Sequence, residues 1–320
     1  MRWRAALLAL VVARSAAAAD VWERAADPLR ARADAAHLEA ERLLLEAAEV
    51  RRHDRRVARA LDERARSRLE GAIALGCDEP RLAFDLGRVL VHLGDDARAV
   101  AVLEVALAAA PDAPAAVDAR FDLGVSYARL GRPDDEIAAY DAYLQRETDP
   151  NARAIAFGNR AEAHMLLGRL AAAEADDRAA LALEPSEPLA RWGLAVALDR
   201  MGRSDEAQVE VARAVAYDPG DQRLSSPAVF FLPPYDRYWY EALGAAQRAR
   251  ESDEPDVARL LREAALAKWD AYLAAAPADG RWVPLARAHR ASAARDIARG
   301  AQPSSLLFPC FIGKFSYRRS

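Results

Sequence analysis

Cysteine is almost absent from this chain: Cys77 and Cys310 are the only two in 320 residues. Two thiols exclude a disulfide scaffold and a thiolate metal cluster. Glycine is sparse, at 15 residues, and aromatics make up 7%, which argues against a β-sandwich or a collagen-like chain. Lysine is reduced to Lys268 and Lys314, so nearly every cation is an arginine. Positive charge is not in excess. The 45 basic residues face 49 acidic ones, for a formal net charge of −4, whereas a nucleic-acid binder carries a basic excess or stripe. No apolar run is long enough to cross about 30 Å of hydrocarbon. What remains is 52% hydrophobic and 29% charged, rich in Ala, Leu, Arg and Glu. These are the strong helix formers, and the composition predicts an all-α fold with a packed core. The length suits about two domains or one extended array.

The first twenty residues, MRWRAALLALVVARSAAAAD, have the layout of an export signal. Arg2 and Arg4 supply a positive start, Ala5–Val12 a short apolar run, and Ala17-Ala18-Ala19 the small residues a signal peptidase needs. The expectation is cleavage before Asp20, leaving a more acidic chain with no stable membrane span. It would be exported to the periplasm or cell envelope, or secreted. An oxidising compartment would permit Cys77 and Cys310 to pair. The sequence leaves a disulfide and two separate thiols equally open.

One spacing recurs through the middle of the chain. A glycine ends a helical run, an Ala-rich run follows, and a proline closes the unit. Gly94 leads through Ala99, Leu103 and Ala106 to Pro111. Gly168 leads through Ala173, Asp177 and Ala180 to Pro185, and Gly202 through Ala207, Val211 and Ala214 to Pro219. A looser unit runs from Gly131 to Pro150. Small residues let paired helices approach closely, glycine takes the left-handed conformation that ends a helix, and proline stops the second helix.

This spacing, with Leu86-Gly87 and Leu90, and Leu123-Gly124 and Tyr127, in the leading runs, resembles the tetratricopeptide repeat family. Phe157 with Ala161 and His164, and Leu194-Ala195 with Leu198, fit less closely. The resemblance implies a tetratricopeptide-type superhelix: an α-solenoid of antiparallel helix hairpins with flanking cap helices, right-handed, with repeats at 80–113, 117–150, 154–187 and 188–221. Such an array needs capped ends. Two departures stand out. Glu136 occupies the position of a small alanine, and extra residues at both early joins predict irregular packing at 114–116 and 148–153.

The flanks lack this rhythm. Residues 20–79 read as an N-terminal cap of two helices, with apolar stripes at Leu38–Val50 and Val57–Leu75. Residues 222–300 read as a Pro/aromatic loop, a degenerate fifth repeat with a second helix near Asp256–Ala276, and a capping helix near Trp282–Arg299. Residues 301–320 form a C-terminal tail.

No catalytic constellation emerges. His37, His53, His92, His164 and His289 form no zinc spacing. Gly124-Val125-Ser126-Tyr127 lacks the second glycine of a nucleophile elbow. Asp95-Asp96 and Asp134-Asp135 follow helix-ending glycines, where acids favour the start of the next helix. No cofactor or metal is expected, and the chain is not expected to be an enzyme.

In the family resembled, ligands commonly lie in the groove lined by the first helices. That implies Arg81, Phe84, Asp85, Arg88 and His92 from the first repeat, and Asp118, Phe121, Asp122 and Arg129 from the second. The third would offer Asn159, Glu162 and Met165, and the fourth Trp192, Val196 and Asp199. The set lacks the basic clamp that holds a C-terminal carboxylate. A second candidate surface is Tyr235 with Tyr238-Trp239-Tyr240, since exposed aromatics anchor interfaces. The resulting expectation is a non-catalytic scaffold or adaptor in the periplasm or cell envelope that takes a peptide or helix of a protein partner, and no nucleic acid, in its groove. Two other classes stay open: an accessory or catalytic component acting on cell-wall polymer, and a self-associating structural module that forms homo-oligomers.

Overall fold

The computed structural model describes residues 28–76, 79–220, 222–226 and 229–300. The expected signal segment, Cys77, Cys310 and the tail 301–320 lie outside them. Among the described residues there are thirteen α-helices and no strand. They fall into two compact units, one ending at Pro234 and the other beginning at Tyr235.

The first unit is a run of antiparallel hairpins. Helices α1 (Pro28–Val50) and α2 (Arg55–Ala74) pair first. Then α3 (Pro80–Leu93) pairs with α4 (Asp96–Ala109), and α5 (Ala115–Arg129) with α6 (Pro133–Leu144). The last two pairs are α7 (Pro150–Leu166) with α8 (Leu170–Leu183), and α9 (Pro188–Arg200) with α10 (Ser204–Tyr217). Proline sits in the first turn of α3, α6, α7 and α9, where its missing N–H costs nothing and its fixed φ suits the helix. The first helices of the four repeat hairpins end into glycines at positive φ, between 67° and 79°, at Gly94, Gly131, Gly168 and Gly202. α4, α8 and α10 each stop two residues before Pro111, Pro185 and Pro219, as the restriction on residues preceding proline requires.

Close approach within a hairpin rests on absent side chains. A methyl group on Gly87 would meet Leu103 Cδ2 at 2.2 Å, and one on Gly124 would meet the Tyr140 ring at 2.6 Å. One continuous apolar core runs from Ala33 on α1 to Ala139 on α6. Beyond it the core breaks into small clusters. Around α7 and α8 these contain little more than Ala154, Ala180 and Ala190.

Stacking between hairpins is uneven. First helices α3 and α5 lie against each other, as do α7 and α9, but α5 and α7 make no comparable contact. Aromatic side chains of α6 fill that join. Phe121 on α5 meets the rings of Tyr140 and Tyr143 edge-on at 5.5 and 5.2 Å. The irregularity expected at both early joins is therefore expressed in first-helix stacking at the second of them.

The second unit is three helices: α11 (Arg237–Glu251), α12 (Pro255–Ala275) and α13 (Val283–Gly300). Its core is aromatic. Trp239 meets Trp269 at 5.0 Å and Tyr272 at 5.1 Å, and His289 stacks on Trp269 at 4.8 Å.

The packing at glycine generates a stability prediction. Gly87→Ala and Gly124→Ala each lower the urea midpoint, at a cost of about 1–3 kcal/mol from overpacking. Gly158→Ala in α7, where the added methyl meets nothing within 4 Å, raises stability by about 0.5–1 kcal/mol through helix propensity.

Candidate functional site

The first helices present two kinds of side chain. Arg81, His92, Asp118, Arg129 and Glu162 are exposed, and Arg88, Phe121, Asp122 and Asn159 are half-buried. Six residues expected in the groove are buried instead: Phe84, Asp85, Met165, Trp192, Val196 and Asp199. For Trp192 and Val196 the reason is that α9 packs against α7, α8 and α10 at once, so nearly every side chain on it is covered. These six do not form an open binding surface.

At the N-terminal end, the polar residues of α3 are committed to α1. His37 Nε2 lies 3.2 Å from Asp85 Oδ2 and 3.7 Å from Glu41 Oε1. Arg81 pairs with Glu41 at 2.7 Å, and Arg88 with Asp85 at 2.7 Å. The ligand atoms of His37, Glu41 and Asp85 lie within 4.8 Å of one another, but two guanidinium groups already supply the positive charge there. The cluster is an ion-pair lock between two hairpins. A second lock lies beside it. Arg51 donates two 2.9 Å hydrogen bonds to the fully buried Asp62, and His92 Nδ1 approaches the same carboxylate at 3.7 Å. Burial opposes the Asp62 charge, but hydrogen bonds from His92 and Arg51 outweigh it and hold the carboxyl below its usual range.

Further along, charges from α3 and α5 converge on one carboxyl. Burial pushes Asp122 up to about 6, while His92, Arg88 and Arg129 pull it down and Asp118 raises it. Arg129 Nη1 donates to the carbonyl of Val91 at 2.9 Å, tying the ends of α5 and α3. The Phe230 ring lies 5.5 Å from the Arg129 guanidinium, within reach of a cation–π contact. The segment after the last repeat therefore returns to the second.

Polar groups gather around α7 and α8, where these helices meet α6 and α9. Asn159 Nδ2 donates to Tyr140 Oη at 3.0 Å. Glu136, where the repeat pattern calls for alanine, is buried; desolvation, then the charge of Glu162, push its carboxyl up to about 8. Asp177 is buried too, held well above its usual range by desolvation and then by Glu162 and Asp176. Its Oδ2 has no hydrogen-bond partner. Its carboxyl packs against Gly193, where a methyl group would meet Oδ1 at 2.8 Å. Arg160 holds the neighbouring Asp176 through two bonds of 2.6 and 2.8 Å.

The second candidate surface also needs correction. Trp239 and Tyr240 are buried in the core of the C-terminal unit, and Tyr235 and Tyr238 are half-buried. Tyr235 meets Tyr272 edge-on at 5.3 Å. This segment builds the unit's interior and is not a free anchor.

Against known proteins, a family model described as tetratricopeptide repeat matches residues 63–114 and 112–153. Residues 63–153 thus match the tetratricopeptide repeat. With the hairpin run this makes its fold an all-α tetratricopeptide solenoid. The match to the tetratricopeptide family begins within α2, so the pattern extends into the expected N-terminal cap. No curated protein matches the chain. Solved structures with a similar fold include MamA 41-end from Desulfovibrio magneticus RS-1, at 18% identity and a TM-score of 0.47, covering 57% of this chain and 96% of that one. MamA of AMB-1 is 23% identical with a TM-score of 0.48, covering 61% and 98%.

Sequence reasoning missed His37, Glu41, Arg51 and Asp62. The only signal available was position: His37 falls at helical spacing with the buried Ala33, Ala40 and Leu44 of α1.

The buried acids dictate a pH dependence. Glu136 holds its proton more tightly in the tetratricopeptide fold than in the unfolded chain, where its value is 4.5. The folded state binds more protons through that window, so stability falls as pH rises from about 4.5 to 8. Asp177 acts with the same sign. Glu136→Gln removes much of this slope and raises the melting temperature at pH 8, by a stabilisation on the order of 3 kcal/mol. Thermal melts of both proteins at pH 5 and pH 8 check it.

Proposed function

We propose that this protein is a non-catalytic adaptor that binds a peptide or helix of a protein partner on the first helices of its tetratricopeptide repeats, chiefly α3 and α5. The observation that carries the reading is the convergence on Asp122. Arg88 and His92 from one hairpin and Asp118 and Arg129 from the next act on this half-buried carboxyl. The groove therefore offers both signs of charge beside the half-buried ring of Phe121, a surface suited to an amphipathic segment with charges of its own. Phe230 resting on Arg129 supports the same view, since it shows an aromatic side chain seated on this row. Residues 1–20, with a basic start, an apolar run and a small-residue site, favour export, and we place the protein in the periplasm or cell envelope. Turnover of envelope polymer, or self-association detected by light scattering, would redirect the reading to the alternative classes.

Crosslinking purification of the tagged chain from envelope fractions tests it, with Asp118→Lys combined with Asp122→Asn run in parallel. One partner enriched by the natural chain and reduced about tenfold or more in the variant, a loss of about 1.4 kcal/mol, is the expected result. An unchanged protein set sinks the groove reading. Binding of that partner should also change between pH 5 and 7, as Asp122 titrates near 6, and Asp122→Asn should reduce that change.

A further inference from the structure

The C-terminal unit holds a cavity that the adaptor reading does not use. It lies among α11, α12 and α13, has a volume of about 430 Å³, and is lined by Arg250, Arg262 and Arg299 beside the half-buried methyl groups of Ala246 and Ala293. One lining carboxylate opposes them. Asp296 sits one turn before Arg299 and reaches it at 3.5 Å. Three guanidinium groups against one carboxylate leave the lining at net +2.

Each arginine is available to a ligand in a different way. Arg250 is aimed by a neutral partner: Gln247 Oε1 accepts from Nη2 at 2.6 Å and from Nε at 3.1 Å. Gln247 in turn donates to Glu251 at 2.7 Å, which fixes the amide and leaves Glu251 one residue removed. Burial works against the Arg250 charge, and Asp296 and Glu251 only partly offset it. An anion in the cavity would relieve that cost. Arg262 lines the same space from α12 and joins no ion pair among the described residues. Arg299 is exposed at the mouth, loosely held by its 3.5 Å contact.

We infer that this cavity binds a phosphomonoester, its phosphate held by Arg250, Arg262 and Arg299 and its organic part resting on Ala246 and Ala293. Guanidinium forks match phosphate oxygens two at a time. A lining of net +2 is neutralised by a phosphate dianion and only half neutralised by a carboxylate. The volume exceeds that of phosphate alone and falls in the range of small-molecule sites, about 300–1,000 Å³. The alanine floor leaves that remaining space apolar.

Isothermal titration of the full chain with phenyl phosphate, at fixed chloride, tests the site. Phenyl phosphate should bind at one site per chain, and inorganic phosphate more weakly because it leaves the alanine floor uncovered. Arg262→Ala should weaken phenyl phosphate binding about tenfold or more, the loss of one charge-assisted contact, while its melting temperature without ligand stays near that of the natural chain. Arg262→Lys should recover part of the affinity. Arg237→Ala, which removes the same charge at the opposite end of α11, should bind as the natural chain does. Phosphatidylcholine vesicles containing phosphatidic acid form a further arm, and binding confined to them would overturn a soluble ligand. Absence of phenyl phosphate binding, or equal affinity in Arg262→Ala, would overturn the site itself.

Discussion

Everything in the repeat region depends on how near a first helix can come to the second helix of its hairpin. At Gly87 and Gly124 the partner side chain, Leu103 or Tyr140, occupies the volume a methyl group would need. That proximity buries the apolar face of each hairpin and leaves its outer face for the next. In the first three hairpins the result is one uninterrupted core from α1 to α6. In the hairpin of α7 and α8 the same geometry is met with alanines and acids, and dispersion contacts are correspondingly fewer. Polar groups hold more of the contact there: Arg160 of α7 binds Asp176 of α8, and Asp177 of α8 packs against Gly193 of α9 in the next hairpin. An ionised carboxyl is costly to bury, and burial accordingly raises the Asp177 carboxyl well above its usual range.

The parts of the fold that repeat were legible in the sequence. Glycines at the ends of first helices and prolines after second helices mark backbone conformations that few other residues permit, and such signals survive without knowledge of neighbours. The helices of the C-terminal region were placed nearly as found: Pro255–Ala275 and Val283–Gly300 against the expected Asp256–Ala276 and Trp282–Arg299. The departure at Glu136 was visible as well, because a large acid where a small residue belongs contradicts the pattern by itself.

The surface was harder to read, since exposure depends on what a third element does. Trp192 and Val196 have the sequence positions of groove residues, yet α9 is enclosed by three helices. Asp85 has the right position on α3, but it is buried against His37 of α1, whose sequence shares no register with the repeats. Trp239 and Tyr240 read as an aromatic patch until Trp269, Tyr272 and His289 are brought against Trp239 and Tyr240 is buried beside it in sequence. Arg250, Arg262 and Arg299 carry no motif, coming from three helices that meet only in the folded chain. In each case the missing information was a tertiary neighbour, which local spacing does not encode.

The contact between Phe230 and Arg129 has a consequence for the order in which the molecule assembles. The ion pairs and hydrogen bonds described above in the repeat region join helices of the same or adjacent hairpins, so the array can grow from local encounters with little loop to close. Phe230 lies about a hundred residues from Arg129, and closing a loop of that length carries a larger entropic cost. The contact forms only once the intervening hairpins stand in register. It is thus a late event in folding and an early one to be lost on unfolding. Whatever parts α5 from α7, the weakest first-helix join, also changes the path this clasp must span. A chain interrupted after its second or third hairpin could hold its local structure and still lack the feature that marks the array as complete.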